Sequence, residues 1–374
     1  MDDDKKVLLM GGLGIVLAGL LFFAVFGQYG GSGPRGVWRS LDGGINWEKI
    51  NLVSSGNTSK QARASAVLDG VAIREITTAP DRNDVLYLTT SSGIYGSDNG
   101  GQVWHHILPN VDVYSVKVAN SDPNVLYVAG NSGGRGAVWK SLNRGVAWEQ
   151  KYVGSNSDTI TAVAVNPYDA NDVWVGFNSG VLLNSRDGGA AWASVRNFDT
   201  AVNKLEFRPN DPRSFFMLLR DRGLFLTRDR ANSFTEITTA LGQSGGFNVA
   251  SSIAQADTII REDFRYPSRF LDFSTSPSNL SVIYMTTDTG LFATSNLGTS
   301  WRYVRLPVDP AKAQTVAVRP AAGDRVVYVS IDTIVFKSID SGRTFSTVRL
   351  PTNRLIGVLS TIPADPDIVY AGMR

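Results

Sequence analysis

One eight-residue pattern recurs seven times along the chain: Ser or Thr, any residue, Asp or Asn, any residue, Gly, two further residues, and Trp or Phe. The first copy begins at Ser40 and the last at Ser338. Four of the six spacings are 42 to 44 residues, and the other two are 57 and 67. The fifth copy has Ala231 in place of the glycine. Seven copies in phase predict seven copies of one supersecondary unit, stacked as a repeat fold.

A second motif keeps the same phase: a turn of Pro, Asp or Asn precedes a short run of β-branched and aromatic residues, as in residues 85–88 and 125–128. Each unit therefore reads as four short strands, which is typical of a propeller blade. Residues 357–372 supply only two strands, and residues 37–50 supply the third and fourth strands that this unit lacks. The sequence thus predicts an all-β, seven-bladed β-propeller closed by both termini.

The residue types of the pattern explain a tight turn. An Asp or Asn side chain accepts backbone N–H bonds, a glycine adopts positive φ, and the aromatic ring anchors the hairpin in apolar surroundings. We therefore interpret these residues as structural. A single turn offers too few oxygens to hold calcium. The positions are Asp42, Trp47, Asn99, Trp104, Asn143, Trp148, Asp187, Trp192, Asp229, Phe234, Asn296, Trp301, Asp340 and Phe345.

The N-terminal region contains an uncharged apolar run at residues 7–26, long enough as a helix to span about 30 Å of hydrocarbon. A cleaved signal peptide is the alternative, but its apolar region is normally shorter and ends in a small-x-small site. Lys5 and Lys6 precede the run, so the positive-inside rule places the N-terminus in the cytoplasm. We expect a single-pass protein of the plasma or thylakoid membrane, with the propeller on the periplasmic, extracytoplasmic or lumenal side.

The predicted domain order follows from these features. Residues 1–6 form a cytoplasmic tail, 7–26 the transmembrane helix, 27–36 a Gly-rich linker and 37–374 the propeller, with insertions near 51–70 and 238–267. Small residues in the apolar run leave room for packing against another membrane helix. The chain has no cysteine, which excludes disulfides and thiolate metal sites. Its formal charge of +2 gives no sign of nucleic-acid binding.

The eight-residue pattern resembles the bacterial neuraminidase repeat, or Asp box. That repeat is seen in sialidases, in sortilin-type receptors and in the photosystem II assembly and stability factor family. The uniform blades, the Tyr-rich second strands and the single ring of seven are most similar to the assembly-factor group. This resemblance implies a non-enzymatic protein that binds and scaffolds a membrane protein complex, as an assembly factor or accessory subunit. Members with a lipidated cysteine differ from this chain, which carries an apolar segment instead.

Signals for catalysis are weak. The nearest fragment to the Phe/Tyr-Arg-Ile-Pro element of sialidases is residues 207–209, which reads more simply as a strand end and turn. The two histidines, His105 and His106, are adjacent on a predicted strand and therefore point to opposite faces. No phosphate-binding loop, dinucleotide fingerprint or nucleophile elbow is present. We predict no catalytic residue, cofactor, metal or small-molecule substrate. A sialidase-like glycan-binding protein or glycosidase and a sortilin-like peptide receptor are the alternatives.

Binding residues are predicted on one face. In a four-stranded blade, the turns between second and third strands share a face with the links between blades, and the Asp boxes lie on the other. Both insertions fall in such links. Arginines and aromatic residues, which protein interfaces favour, collect there. The predicted partner, an integral membrane protein complex, would contact Arg35, Arg135, Arg220, Arg222, Arg261, Phe264, Arg265, Tyr266, Arg269 and Arg374.

Overall fold

The computed structural model describes residues 35–54, 64–241, 266–308, 313–319, 325–362 and 365–374. The predicted membrane segment and most of the linker lie outside these residues, as do most of the second insertion and Arg261, Phe264 and Arg265. Within the described ranges, no helix is both long and apolar enough to cross a bilayer. The described residues form seven four-stranded antiparallel sheets and one two-stranded hairpin. The all-β, seven-bladed propeller predicted from the sequence is confirmed.

Each blade is numbered along the chain, and its strands run from the tunnel to the rim. Blade 1 consists of Ile356–Ile362, Asp365–Met373, Val37–Ser40 and Glu48–Lys49. Blade 2 consists of Ile73–Ala79, Arg82–Thr90, Gly93–Ser97 and His105–Pro109. Blade 3 consists of Asp112–Val118, Leu126–Ser132, Arg135–Ser141 and Glu149–Val153. Blade 4 consists of Ile160–Asn166, Asp169–Phe177, Val181–Ser185 and Ala193–Asn197.

The remaining blades follow the same order. Blade 5 consists of Val202–Phe207, Phe215–Leu219, Gly223–Thr227 and Thr235–Glu236. Blade 6 consists of Phe270–Thr275, Ile283–Thr287, Gly290–Thr294 and Arg302–Val304. Blade 7 consists of Ala313–Val318, Val327–Ile331, Ile334–Ser338 and Ser346–Arg349. The hairpin pairs Leu52–Ser54 with Ala64–Val67, and single 3-10 turns occur at Leu68–Gly70 and Thr239–Leu241.

The ring closes in blade 1, where both ends of the described chain meet. Val37 to Ser40 pair antiparallel with the last strand of the chain, Trp38 lying opposite Ala371. The apolar core is divided into seven clusters, and each cluster joins the facing sheets of two neighbouring blades. Closure therefore leaves every blade packed on both sides, and the ring has no open end that could pair with another chain.

The Asp-box turns are built alike in all seven blades. In blade 1, the Ser40 hydroxyl donates to Asp42 Oδ1 at 2.8 Å and accepts the Gly44 N–H at 2.7 Å. Asp42 Oδ1 also accepts the Asn46 N–H at 2.8 Å. The hydroxyl bond to the fifth residue of the box recurs in every other blade, and so does the side-chain bond to the seventh. The polar residues of the pattern thus shape the turn, as their chemistry predicts.

Candidate functional site

Two faces of the ring differ in what they present. The Asp-box face carries the third-to-fourth turns and the first-to-second turns, which are joined in every blade by one backbone bond, such as Gly43 N–H to Asp367 O at 2.7 Å. The link face carries the second-to-third turns and the links between blades, joined by bonds such as Asn178 N–H to Thr159 O at 2.8 Å. The structure therefore separates the Asp boxes from the links, as the blade pattern predicts.

Four of the predicted binding residues lie on the link face, in the second-to-third turn of blade 5 and in the segment that leads into blade 6. The Arg220 carbonyl accepts the Phe270 N–H at 2.7 Å, which places the Arg220 backbone beside the segment that carries Tyr266 and Arg269. The Arg220 guanidinium donates to Asn178 Oδ1 of blade 4 at 2.9 Å. Arg222 follows in the same turn, its guanidinium 5.3 Å from the Phe225 ring centroid. Three of these side chains, those of Arg222, Tyr266 and Arg269, are exposed. We call Arg220, Arg222, Tyr266 and Arg269 the link-face arginine cluster.

The other described residues of the predicted set lie on different blades. Arg135 is exposed at the start of the third strand of blade 3. Arg35 lies at the link between blades 1 and 2, where its N–H donates to Asp69 O at 3.0 Å. Arg374 is exposed beside Gly357 at the mouth of the central tunnel. The structure thus gathers four of the arginine and tyrosine positions and leaves three separate.

The central tunnel contains a charged network that the sequence analysis missed. Arg74 pairs with Asp112 across blades 2 and 3, and its guanidinium lies 4.0 Å from the Tyr114 ring centroid. Glu75 pairs with Lys117 across the same junction. The sequence did contain a signal for this network. The first strand of each blade is buried between two neighbouring blades, so its charged residues can face only the tunnel.

A second part of the network lies across the tunnel. Lys204 Nζ contacts Asp272 Oδ1 at 3.1 Å and Glu206 Oε2 at 3.4 Å, and the Thr315 hydroxyl donates to Asp272 Oδ2 at 2.6 Å. Burial alone would lower the pKa of Lys204, but the carboxylates of Asp272, Glu206 and Glu75 together raise it above its ordinary value. Each tunnel carboxylate therefore has a cation beside it.

No protein-family model matches the chain. A curated xyloglucanase from Paenibacillus sp is 26% identical over 206 residues, which is 47% of this chain and 20% of that enzyme. Among solved structures, the GH74 xyloglucanase from Xanthomonas campestris superposes with a TM-score of 0.61 at 17% identity, covering 81% of this chain and 51% of that one. This chain thus spans a fifth to a half of the xyloglucanases that it matches.

Two further solved structures match almost over their full length. YCF48 bound to a D1 peptide gives a TM-score of 0.54 at 12% identity, covering 81% of this chain and 92% of that one. YCF48 from Cyanidioschyzon merolae gives 0.56 at 14% identity, covering 81% and 95%. All of these matches are matches of fold. This chain is a seven-bladed β-propeller of the kind found in both groups. At these identities the propeller fold is shared, and function follows from the site.

Proposed function

We propose that this propeller is a non-enzymatic protein that binds and scaffolds a membrane protein complex, as an assembly factor or accessory subunit, photosynthetic in kind. The observation that carries the proposal is the link-face arginine cluster. Arginine and tyrosine are among the residues most enriched at the energetic centres of protein interfaces, and here they lie on one side of the ring, on the link face. The partner surface that complements such a cluster is acidic.

The likeness to YCF48 supports this proposal because it extends over nearly the whole length of each YCF48 chain. The match covers 92% and 95% of the two YCF48 chains, and one of them is bound to a D1 peptide. The match to the solved xyloglucanase ends at 51% of its chain.

The electrostatics also favour binding over hydrolysis. Glycoside hydrolysis uses a pair of carboxyl groups, one of which is a general acid with a raised pKa. In the described ranges, every carboxyl with a clear pKa shift is shifted downward. The causes are hydrogen bonds within turns and contacts with Lys or Arg. The acidic side chains of the tunnel are ion-paired. These features suit a surface that binds without reacting.

We infer the orientation from the place where the described chain meets the ring. Arg35 precedes the third strand of blade 1, and third strands begin on the link face. A membrane helix at residues 7–26 would therefore hold the link face toward the bilayer. The chain has no native cysteine, so Arg135→Cys and Val146→Cys can be introduced one at a time. A membrane-bound maleimide should label Arg135→Cys faster, and faster labelling of Val146→Cys would reverse the orientation.

The arginine cluster is tested by comparing two sets of substitutions in the full chain, purified in mild detergent from native membranes. Arg220→Ala, Arg222→Ala and Arg269→Ala together should release the co-purifying complex, measured by quantitative mass spectrometry, with little change in Tm. The control replaces Arg186 and Arg343, which are exposed on the Asp-box face. Equal loss of partner from both sets would remove the link-face arginine cluster as the binding site.

The xyloglucanase similarity supports a second candidate, a glycan-directed protein, because a curated xyloglucanase matches 206 residues of this chain at 26% identity. This candidate predicts that xyloglucan oligosaccharides bind the full chain or are shortened by it. Product release measured by mass spectrometry, with retained activity in the arginine triple variant, would favour the glycan-directed function. If the full chain neither bound nor cleaved the oligosaccharides at about millimolar concentration, the glycan-directed function would be excluded and the scaffolding proposal would stand alone.

A further inference from the structure

The Asp box of blade 2 contains the only Asn–Gly dipeptide of the chain, Asn99 followed by Gly100. Asparagine is thermolabile, and a following glycine favours its reaction because no Cβ crowds the glycine nitrogen. That nitrogen can bond to the Asn side-chain carbon and expel ammonia, which forms a succinimide ring. Water then opens the ring at either carbonyl and leaves aspartate or isoaspartate. An isoaspartate lengthens the main chain by a carbon atom at that position.

Two other boxes have a glycine directly after the acidic position, at Asp42–Gly43 and Asp187–Gly188. Both carboxyl groups accept hydrogen bonds within their turns, chiefly from the Asn46 N–H and the Ala191 N–H, which hold the pKa of each Asp below its ordinary value. An ionised carboxylate resists attack by an amide nitrogen, because its carbon is electron-rich. Asn99 is neutral, so the reactive form of this dipeptide is confined to the box of blade 2.

The folded box acts on the two reacting groups in opposite ways. Asn99 Oδ1 accepts the Ser97 hydroxyl at 2.9 Å and the Val103 N–H at 3.0 Å, and donors on a carbonyl oxygen stabilise the negative charge that develops there during attack. The Gly100 N–H, however, donates to Asp84 O at 2.8 Å. The attacking nitrogen has to give up this proton and turn toward Asn99 Cγ. The hydrogen bond to Asp84 must therefore open before the reaction can occur.

Gly100 also lies at the junction between blade 2 and the blade that closes the ring. Its carbonyl accepts Arg39 Nη1 at 2.7 Å and the Tyr370 hydroxyl at 3.4 Å, and these two donors lie opposite each other on the third and second strands of blade 1. The contact is close, since a Cβ added at Gly100 would lie 2.8 Å from Arg39 Nη1. An extra main-chain carbon directly before Gly100 would displace this carbonyl. Aspartate at position 99, in contrast, is the residue that four other boxes already carry.

We propose that Asn99–Gly100 is a self-modification site, which reacts only when the box of blade 2 opens. Once the Gly100 N–H has left Asp84 O, the glycine nitrogen bonds to Asn99 Cγ and the Cγ–Nδ2 bond breaks. The proton of the nitrogen leaves with the amide group as ammonia, and a water molecule then opens the ring. The isoaspartyl product loosens the contact between blades 1 and 2. A chain whose box has opened is thus marked irreversibly at the junction beside the closing blade.

The rate of modification is measured on the full chain in detergent, by mass spectrometry of the proteolytic peptide that contains Asn99. The folded chain should react at least about tenfold more slowly than the chain in urea, because the box must first open. Arg39→Ala frees the Gly100 carbonyl but leaves both donors to Asn99 Oδ1 in place, so it should raise the folded rate about threefold or more. The control is Lys140→Ala, because Lys140 also lies opposite a second-strand tyrosine but reaches toward the box of blade 4, and this variant should leave the rate unchanged. Tyr370→Phe, which removes the other donor to the Gly100 carbonyl, replaces Arg39→Ala if that variant does not fold.

The structural consequence is measured by hydrogen exchange. Chains aged in the folded state are separated by ion exchange, and electron-transfer fragmentation distinguishes isoaspartate from aspartate. The strand Val37–Ser40 should exchange faster in the isoaspartyl chain than in the unmodified chain, whereas Asn99→Asp should exchange like the unmodified chain. Equal rates in the folded chain and in urea, or equal acceleration by Lys140→Ala, would overturn the proposal. So would an isoaspartyl chain in which the exchange of Val37–Ser40 is unchanged.

Discussion

Two junctions of the ring join their blades by different chemistry. Between blades 1 and 2, the Tyr370 hydroxyl donates to the Gly100 carbonyl of the next Asp box at 3.4 Å, and Arg39 Nη1 donates to the same oxygen at 2.7 Å. A second-strand tyrosine also reaches into the next blade at four other junctions, through Tyr87, Tyr127, Tyr284 and Tyr328. Burial raises the pKa of Tyr370 to about 12, so its hydroxyl stays protonated and keeps donating.

Between blades 4 and 5 the tyrosine is absent and a buried carboxylate takes its role. Trp174 occupies the position, and its indole N–H donates to Asp172 Oδ1 at 3.1 Å. Arg230 Nη2, from the Asp box of blade 5, contacts Asp172 Oδ2 at 2.6 Å. The amides of Asn166 and Asn184 donate to the same carboxylate. Here the two blades are joined by an ion pair whose acidic side chain is 2% exposed.

The difference between these two junctions shows which contacts between blades can be replaced from one repeat to the next. A neutral hydroxyl bonded to a carbonyl contributes only about 0.5–1.5 kcal/mol net, and blade 5 itself has Phe216 at the tyrosine position. A buried carboxylate, in contrast, needs its cation and its donors together, because an unpaired buried charge is strongly unfavourable. The two junctions should therefore respond differently to single substitutions.

The largest effect is expected at the box aromatic. Trp104 is fully buried, and its indole N–H donates to Ile50 O at 2.6 Å, whereas Phe234 in blade 5 is only half-buried. Trp104→Ala should lower the free energy of unfolding by about 3–5 kcal/mol, and Phe234→Ala by clearly less. Urea unfolding followed by circular dichroism measures both. A larger loss for Phe234→Ala would contradict this ranking of the two boxes.

The sequence predicted the box tryptophans but not their unequal burial. Trp104 and Trp301 are buried, while Trp148 and Trp192 are half-exposed, so truncating the latter two should cost less than a full core aromatic. The physical reason is the chain that precedes each blade. The two buried rings lie in the blades that follow the two insertions: Leu52–Ser54 covers Trp104, and Trp301 packs in one apolar cluster with Ile237 and Leu241, from the chain that leads into the second insertion. The first insertion is therefore not confined to the link face.

The next effect concerns the ion pair between blades 4 and 5. Arg230→Ala leaves the Asp172 carboxylate buried without its cation. We expect a loss of about 2–3 kcal/mol, below the usual range for a fully buried pair, because the Arg230 side chain is itself 35% exposed. Arg228→Ala, an exposed neighbour in the same box, should change stability by no more than about 0.5 kcal/mol. Similar losses for both would show that the ion pair does not join the blades.

Most of the ring could be predicted from the sequence because the residues that define each blade lie close together along the chain. A box turn and its second strand lie within one unit, so seven copies give seven blades, and the incomplete last unit gives the closure. The unequal burial of the box tryptophans was not readable, since it depends on segments between blades, such as Leu52–Ser54 beside Trp104. Side-chain reach between two blades is set by how their sheets pack, and the repeat pattern carries no record of it. The Asp172–Arg230 pair joins two units in the same way.

A moderate effect is expected at the tyrosine junctions. Tyr370→Phe removes one donor while Arg39 still bonds to the Gly100 carbonyl, so the loss should be about 0.5–1.5 kcal/mol. Tyr328→Phe is the companion variant, since Lys337 Nζ also donates to the Gly43 carbonyl at 2.6 Å. Thermal unfolding measures both. A loss as large as that of Arg230→Ala would mean that the hydroxyls hold the blades as firmly as the ion pair does.

The Asp boxes of blades 5 and 2 should also differ in how their contribution to stability changes at low pH. The Asp229 side chain in blade 5 has a pKa below its ordinary value, because the Ser233 hydroxyl and N–H and the Thr227 hydroxyl donate to it, whereas blade 2 has Asn99, which does not titrate. A lowered folded-state pKa gives stability that is present above about pH 4 and is lost as the pH falls further. Asp229→Asn should reduce the drop in Tm between pH 4 and pH 2. An unchanged drop would exclude Asp229 as a contributor.

The smallest effect is expected at the glycine position of the box. Ala231 has φ of 65°, a conformation that costs an L-residue energy, while Gly101 in blade 2 has φ of 85°. Ala231→Gly relieves that strain but removes a buried methyl group, so the net change should be within about 0.5 kcal/mol of zero. Gly101→Ala should instead destabilise by more than about 1 kcal/mol, because an L-residue is strained at φ of 85° and its Cβ would lie 2.5 Å from Ile50 Cδ1 and 3.0 Å from Trp104 Cζ2. Chemical denaturation of both variants measures these changes. If both substitutions were neutral, neither the positive φ of Gly101 nor its contact with Ile50 would limit which residue the box carries at this position.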